Sequence, residues 1–408
     1  MNGLQDGVGV RVAYKAMPTW GTLPGNTGAQ LIDRVELTLN KEMAKIVSAE
    51  KRTSRQLNDA RAGSRGGTAT LRGQLKSAAF GDFLSSGFMN TWATGPTTGP
   101  LTTLSASASA PHFNRSSGSF ITDGFKVGMI FRPSGFAGAG VPNNNKRFRI
   151  TAVTALGISV VNIDGTAATV AAEVAGASVT FSAPGKILQV PSSGHVYTAF
   201  LLEKFHQTAN TPYSMHGENQ YVNTLDFSID QDANIGIDVG FIGRRVEKYL
   251  AGASYFTSPT AAVTNRIMNS VYGALSMNGT DVGILTTLRQ QITNNMQSAK
   301  AVFSRYPATV FRGRLESMAT ISAYLKDATF EDLMNNETEF ALAYYFTSSP
   351  DFATADIMAV IQPRGQLFGV NESDADQGLI VNAEFQAKEG TGTGPEASTI
   401  YIQDTGQP

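Results

Sequence analysis

No cysteine occurs in the 408 residues, which excludes disulfides, thiolate metal sites and cysteine nucleophiles together. Histidine is scarce: His112, His195, His206 and His216 show neither HxxxH nor HExxH spacing, so no zinc site is supported. Charged residues are 16% of the chain, against ~25% in typical soluble domains. Lys plus Arg (32) nearly balances Asp plus Glu (33), so no net field pulls the chain toward nucleic acid or membrane. No apolar run approaches the ~18 residues of a membrane span, and MNGLQDGVGVRV has neither the basic nor the apolar region of a signal peptide. There is no GxSxG elbow and no phosphate-binding GxxxxGK[ST] loop. Gly185-Lys186 lacks the earlier glycine and is followed by Ile187, and the tract at 135–140 has the wrong order for a dinucleotide fingerprint. Nothing marks a buried carboxylate pair for acid–base work. The chain carries no signature of an enzyme and none of a cofactor.

What is present is a repeat. Residues 69–84 read ATLRGQLKSAAFGDFL, and residues 319–334 read ATISAYLKDATFEDLM. Ala, Thr, Leu, Lys, Ala, Phe and Asp recur in place. Ala69, Leu71, Gly73 and Leu75 alternate with Thr70, Arg72, Gln74 and Lys76, the period-2 signature of a half-buried strand. Ala319, Ile321, Ala323 and Leu325 keep that apolar face. The period then switches to helical. Ser77 and Asp327 read as N-caps, followed by Phe80, Phe83, Leu84 and Phe88 in one copy and by Phe330, Leu333 and Met334 in the other. Each copy reads as strand, cap and short helix, with the helix side chains packed on the strands.

The repeat extends further. Leu225, Phe227 and Ile229 alternate, residues 230–234 turn, and Ile235, Ile237, Val239 and Phe241 alternate again, which reads as a hairpin. In the second half residues 371–377 turn before Leu379, Val381, Ala383 and Phe385, and both turns contain Asp-Ala (Asp232-Ala233, Asp374-Ala375). Residues 339–347 read as a strand. In the first half TGPTTGPLTTLSASASAP, at 94–111, intervenes and reads as a flexible linker. Short strands follow at 125–132, 147–153, 157–161 and 177–181, separated by Gly- and Asn-rich turns. The expected fold class is mainly β with minor α. The expected units are 1–110 and 189–255 as the two parts of a first domain, 111–188 as a small inserted β domain projecting outward, and 256–408 as a second domain.

Two features compete for a chemical reading. Asp230-x-Asp232-x-Asn234 imitates the start of a calcium loop, but Gly236 stands one place late and Phe241 occupies the position of the bidentate glutamate, so a hairpin turn explains it. Between Lys41 and Lys76, Lys45, Lys51, Arg52, Arg55, Arg61, Arg65 and Arg72 form a basic region. Few aromatics interleave for base stacking, and Glu42, Glu50 and Asp59 offset the charge. A long polar hairpin making inter-subunit contacts through Glu50, Lys51, Arg52, Arg55, Gln56, Arg61 and Arg65 is the more economical reading than a nucleic-acid patch.

Three runs resemble the tail tube (major tail) proteins of long-tailed bacteriophages. SAEKRTSRQ at 48–56 looks like the run after that family's first long strand. The strand–helix unit resembles it in both copies, most closely at 321–333. RSSGSFITDGFKVG at 115–128 is similar to the opening of the family's inserted β domain. Residues 1–34 and the GTGTGPE stretch at 390–396 carry no such likeness. The resemblance implies a β-sandwich tube domain present twice, three copies closing a pseudo-hexameric ring, and rings stacking into a conduit for DNA. It implies a tape-measure protein, a tail terminator and a distal tail protein as partners, a long non-contractile tail, a place in the virion and synthesis in the host cytoplasm. The rival readings are a single-ring tail component, such as a distal tail or terminator protein, and a carbohydrate-binding or adhesin-like β protein.

Overall fold

The computed structural model describes residues 7–163, 170–209, 211–249, 252–282, 284–373, 378–391 and 398–408. The first half begins with β1 (Val10–Ala16), β2 (Gln30–Leu31), β3 (Glu36–Val47) and β4 (Ala60–Gln74), then α1 (Gly81–Phe88) and β5 (Ala93–Thr94). An intervening stretch holds β6 (Leu104–Ala106), β7 (Phe113–Arg115), β8 (Ile130–Ser134), β9 (Phe148–Val153), β10 (Gly157–Asn162), β11 (Thr180–Ser182) and β12 (Lys186–Gln189). The first half resumes with β13 (Ala199–His206), β14 (Tyr213–Asp230), β15 (Gly236–Gly243) and β16 (Arg245–Tyr249). The second half contains β17 (Asn269–Met277), β18 (Thr280–Asp281), β19 (Leu285–Thr293), β20 (Gln297–Ala299), β21 (Thr309–Phe311) and β22 (Glu316–Tyr324). It closes with α2 (Thr329–Asn335), β23 (Phe340–Thr347), β24 (Ile357–Ser373), β25 (Ile380–Ala387) and β26 (Tyr401–Asp404). The protein is mainly β.

Alternation produces the sheets. In β4, Ala69, Leu71 and Gly73 are buried while Arg72 and Gln74 are exposed; in β22, Ala319, Ile321 and Ala323 are buried. Pairing order recurs in the two halves. β3–β4–β15–β14 is an antiparallel run with Ala69 opposite Phe241, and β19–β22–β25–β24 is another with Ala319 opposite Phe385. On the other side, β1 pairs with β13 and β13 with β14, as β17 pairs with β23 and β23 with β24. The bulges fall at matching places: between Phe200 and Leu202 and between Val222 and Thr224, then between Phe340 and Leu342 and between Leu367 and Gly369. They let β14 and β24, each long, bend from one layer of a sandwich into the other.

The core lies between the layers. Leu71, Val239, Phe227, Leu288, Ile321 and Ala383 from the long sheet meet Leu202, Phe200, Leu342 and Val360 from the outer strands. α1 is embedded in it: Phe80, Phe83, Leu84 and Phe88 are buried, and the Phe83 ring lies 4.6 Å from Tyr14 and 5.0 Å from Phe200. Ser77 does not cap this helix. It donates to the buried Asp404 instead, and the first turn starts at Gly81 behind Phe80. α2 starts at Thr329 with Ala328 as its N-cap; Asp327, one residue earlier, accepts the Thr329 amide at 3.0 Å.

The stretch between β5 and β12 forms a six-stranded sheet ordered β11-β8-β9-β10-β7-β6 around Phe113, Phe120, Phe125, Phe131, Phe148 and Phe181. The segment at 94–111 is paired, which corrects its reading as a linker. β6 lies on β7, Leu101 bridges Val179, and Leu104 and Ala106 enter the phenylalanine core while Ser105 between them is only half-buried. Residues 125–129, expected as strand, precede β8 as turns, and Gly128 adopts φ +92°. This sheet does not stand free. It packs on the second half, where Gln403 bonds the amide and carbonyl of Ile130 and Arg149 pairs with Asp281. Its contacts there, Ala343, Tyr345, Ala359 and Ile361, alternate with the core residues Leu342, Tyr344 and Val360. The packed sheet therefore covers the face of β23 and β24 that looks away from the long sheet.

Candidate assembly interface

The hairpin at 225–241 forms as the alternation indicates, with Leu225 opposite Val239 and Phe227 opposite Ile237. Its Asp230, Asp232 and Asn234 form the connecting turn, with Asp232 at φ +53°. Among the described residues no three metal-ligating side chains cluster. The second Asp-Ala turn, Asp374-Ala375, lies outside the described residues, as does most of the 390–396 stretch.

The histidines are dispersed. His112 accepts the Val160 amide at 3.1 Å, and His206 stacks on Tyr213. His216 is buried, stacks on Tyr249, and lies 4.0 Å from Glu203. Burial pushes its imidazole down to about 4, against the pull of the Glu203 carboxylate, with Arg245 adding to the fall. Glu203 itself accepts from Ser214, Ser254 and the amides of Tyr255 and Phe256, so this polar cluster ties the strand layer to the chain that leaves β16.

The long sheet has two open edges. β14 is flanked on both sides over its C-terminal half, by β15 and by β19; the second contact puts Thr224 opposite Thr293 and Asp226 opposite Gln291. Among the described residues β3 has a ladder partner along one edge only, β4, and the C-terminal half of β24 likewise has only β25. Unpaired strand edges of this length are templates for pairing with another chain.

One face of the long sheet is bare. Across it Glu36, Arg72, Asp238, Asp226, Gln291, Met318, Gln386 and Gln366 stand in one row, each opposite the next. Adjacent rows bring Thr38, Thr70, Thr224, Thr293 and Glu316, then Ser228, Arg289, Thr320 and Glu384. The face is hydroxyl and amide with an acidic excess, in which Arg72 lies 3.2 Å from Asp238 and Arg289 lies 3.4 Å from Asp230.

The predicted inter-subunit hairpin is β3–β4. Glu50, Lys51, Arg52, Arg55 and Gln56 occupy its exposed tip, with Asn58 donating to Glu50 at 2.5 Å and Arg61 pairing with Asp59 at 2.8 Å. Arg65 is different. It sits half-buried midway along the hairpin, opposite Met43 and 3.4 Å from Glu247, and its amide bonds the Arg305 carbonyl. The β20–β21 loop thus leans on the first hairpin and presents the exposed Val302 and Phe303. Sequence reasoning missed this second arm and the β24 edge. Pro363 concealed β24, because a proline reads as a strand breaker; it sits at the bend where β24 passes from β23 to β25, and no ladder partner is needed there.

A β-sandwich with open edges at both ends of one sheet, and no clustered chemistry among its described residues, has the make-up of an assembly protein. The chain belongs to the phage tail tube protein family, whose model matches residues 7–387. No curated protein matches it. Membership makes it a structural component of the phage virion that assembles into a tube with other tail proteins. No described helix is long and apolar enough to cross a membrane.

Proposed function

We propose that three copies close a ring of six sandwich units and that rings stack into a hollow tube through which DNA passes. The observation that carries it is the β14–β19 junction. Inside one chain the first unit joins the second by edge pairing, and the edges left over, β24 and β3, are the counterparts of β14 and β19. Repeating the internal junction between copies gives a register: Val370 opposite Lys41, Asn371 opposite Asn40 and Ser373 opposite Thr38 of the next copy. Closed cyclic pairing consumes every open edge.

In this reading the bare sheet face lines the channel. Its acidic excess and hydroxyls hold no phosphate, so DNA meets little friction. The six-stranded sheet, packed on the opposite side, decorates the exterior. Glu50, Lys51, Arg52, Arg55, Gln56, Arg61 and Arg65 contact the neighbouring ring, and the tape-measure, terminator and distal tail proteins meet the tube's lumen and ends. The chain is a structural protein, synthesised in the host cytoplasm, and works without a cofactor. The burial of the phenylalanines of the six-stranded sheet gives an adhesin-like reading no aromatic surface there to rest on.

Negative-stain electron microscopy over a concentration series tests the proposal. Stacked rings or hollow tubes with three-fold symmetry are expected. Uniform single rings at every concentration would move the chain to a terminal tail component, and uniform monomers would reject self-closure of the ring.

A further inference from the structure

The ladder between β19 and β22 ends in two unlike structures. Where Thr293 faces Glu316, the chain runs out into the β20–β21 arm. Where Leu285 faces Ala323, the flanking segments form a cleft beside α2. The first is an exposed apolar tip, the second an uncovered apolar hollow.

The arm is pinned at its base. The Arg65 amide donates to the Arg305 carbonyl at 2.7 Å, and the Tyr306 hydroxyl donates to Glu247 at 2.6 Å. Its tip has no cover: Val302 is 82% exposed and Phe303 is 107% exposed. Phe303 adopts φ +63°, a left-handed conformation rare for a bulky residue. An aromatic ring carried on an anchored turn loses little further freedom when a partner buries it. The arm is also basic. Residues 294–315 contain Lys300, Arg305, Arg312 and Arg314 and no carboxylate side chain. Arg312 lies over Tyr197 and Arg314 pairs with Glu316, while Lys300 and Arg305 stand exposed beside the tip.

The cleft is its complement. Met277, Val282, Ile284, Phe330, Leu333 and Phe340 line a volume of about 410 Å³. The corresponding cleft at α1 is only about 190 Å³, and Ala262, Val263, Gln407 and Pro408 enter it. Phe80 of that cleft is 2% exposed, whereas α2 has no buried residue and Phe330, Leu333 and Met334 are half-buried. A cavity of ~150 Å³ admits a benzene ring, so the cleft at α2 has room for the Phe303 ring with Val302 beside it. Its rim is acidic. Asp327, Glu331 and Asp332 are exposed around one lysine, Lys326, and Asp281 is taken up by Arg149.

We infer that the Val302–Phe303 tip of a copy in one ring docks in the α2 cleft of a copy in the next ring, with Lys300 and Arg305 over Asp327, Glu331 and Asp332. A chain cannot fill its own cleft, because tip and cleft lie at opposite ends of strands nine residues long, a span of ~30 Å. Neighbours within a ring lie side by side along their strand edges, so the strand ends are what adjacent rings present to each other. A tip at one end and a cleft at the other make a heterologous contact, which repeats without closing and gives a tube. The inference rests on the stacked-ring reading and names the contact that does the stacking.

Four proteins test it: wild type, Phe303→Ser, Lys300→Glu with Arg305→Glu, and that double variant combined with Glu331→Lys and Asp332→Lys. All the substituted side chains are exposed, and thermal melts check that each variant folds. Sedimentation and negative-stain images then separate single rings from stacks over a concentration series. Phe303→Ser should keep trimeric rings and raise the concentration at which they stack by more than ~10-fold, as loss of a central aromatic anchor does. The double charge reversal should also give unstacked rings, and the fourfold variant should stack again. Stacking unchanged in Phe303→Ser, or not regained in the fourfold variant, would overturn this inference and leave the stacked ring standing. Wild-type rings that never stack would overturn both.

Discussion

Asp226 of β14 stands directly opposite Asp238 of β15 on the bare face of the long sheet. Arg72 approaches Asp238 at 3.2 Å and leaves Asp226 to the Gln291 side. Partial burial pushes the Asp226 carboxyl up, Asp238 adds to the rise, and a hydrogen bond from Gln291 opposes it. Two like charges placed across a ladder are retained here although they oppose folding.

Asp226→Asn should therefore stabilise the isolated chain at pH 7, by up to about 1 kcal/mol. The sign follows from linkage. A carboxyl raised in the folded state binds its proton more readily there, so its destabilising charge is present at neutral pH and fades as pH falls through the folded value. Urea titrations at pH 7 and pH 4 should show a gain in the variant at the first and a smaller gain at the second. No gain at pH 7 would mean that the pair is not repulsive.

His216 gives the opposite slope. Its folded value of about 4 lies below the unfolded ~6.5, so the native state resists a proton that the unfolded chain accepts. Stability contributed by the neutral ring is intact above pH 6.5 and is lost progressively down to pH 4, to a limit of about 3 kcal/mol. His216→Phe keeps a ring against Tyr249 and should flatten that part of the stability–pH curve. An unchanged slope would place the acid sensitivity elsewhere.

Phe83→Ala should cost ~3–5 kcal/mol, since the ring is fully buried between Tyr14, Phe200 and Phe241. Phe330→Ala should cost only about 1–2 kcal/mol in the isolated chain, where the ring is half-buried. Thermal melts of both compare the helices directly. A Phe330→Ala loss equal to that of Phe83→Ala would show α2 seated as deeply as α1.

Asp404→Ala should destabilise by about 1–3 kcal/mol, because the Ser77 hydroxyl and the Ala78 and Gly406 amides lose their acceptor in a buried setting. Chemical denaturation measures it. A neutral outcome would mean that water replaces the carboxylate there.

The alternation at 69–76 and 319–325 was legible because a strand with one buried face must repeat every second residue. The hairpin at 225–241 was legible for the same reason. The unequal seating of the two helices was not, although one residue explains much of it. A Cβ at Gly73 would lie 2.4 Å from the Phe80 ring tip, so glycine there admits the phenylalanine. Ala323 holds the corresponding position in the second half, so a side-chain methyl stands where the first half has only a hydrogen. Ser77 carried a cap pattern, yet a carboxylate from the far end of the chain claimed its hydroxyl first.

The sequence by itself determined that the protein is built from strands in two related halves, that it has no thiol chemistry, and that it resembles tail tube proteins. The first two follow from local period and composition, which neighbours in the chain enforce; the resemblance rests on the runs at 48–56, 115–128 and 321–333. Only the tertiary structure decided which edges stay open, which sheet face stays bare, that the six-stranded sheet packs on the second half, and that the cleft at α2 is the larger. Those outcomes depend on contacts between residues far apart in the chain, such as Gln403 with Ile130 or Thr224 with Thr293. No local pattern records a long-range pairing, because the free energy of such a contact belongs to both strands at once.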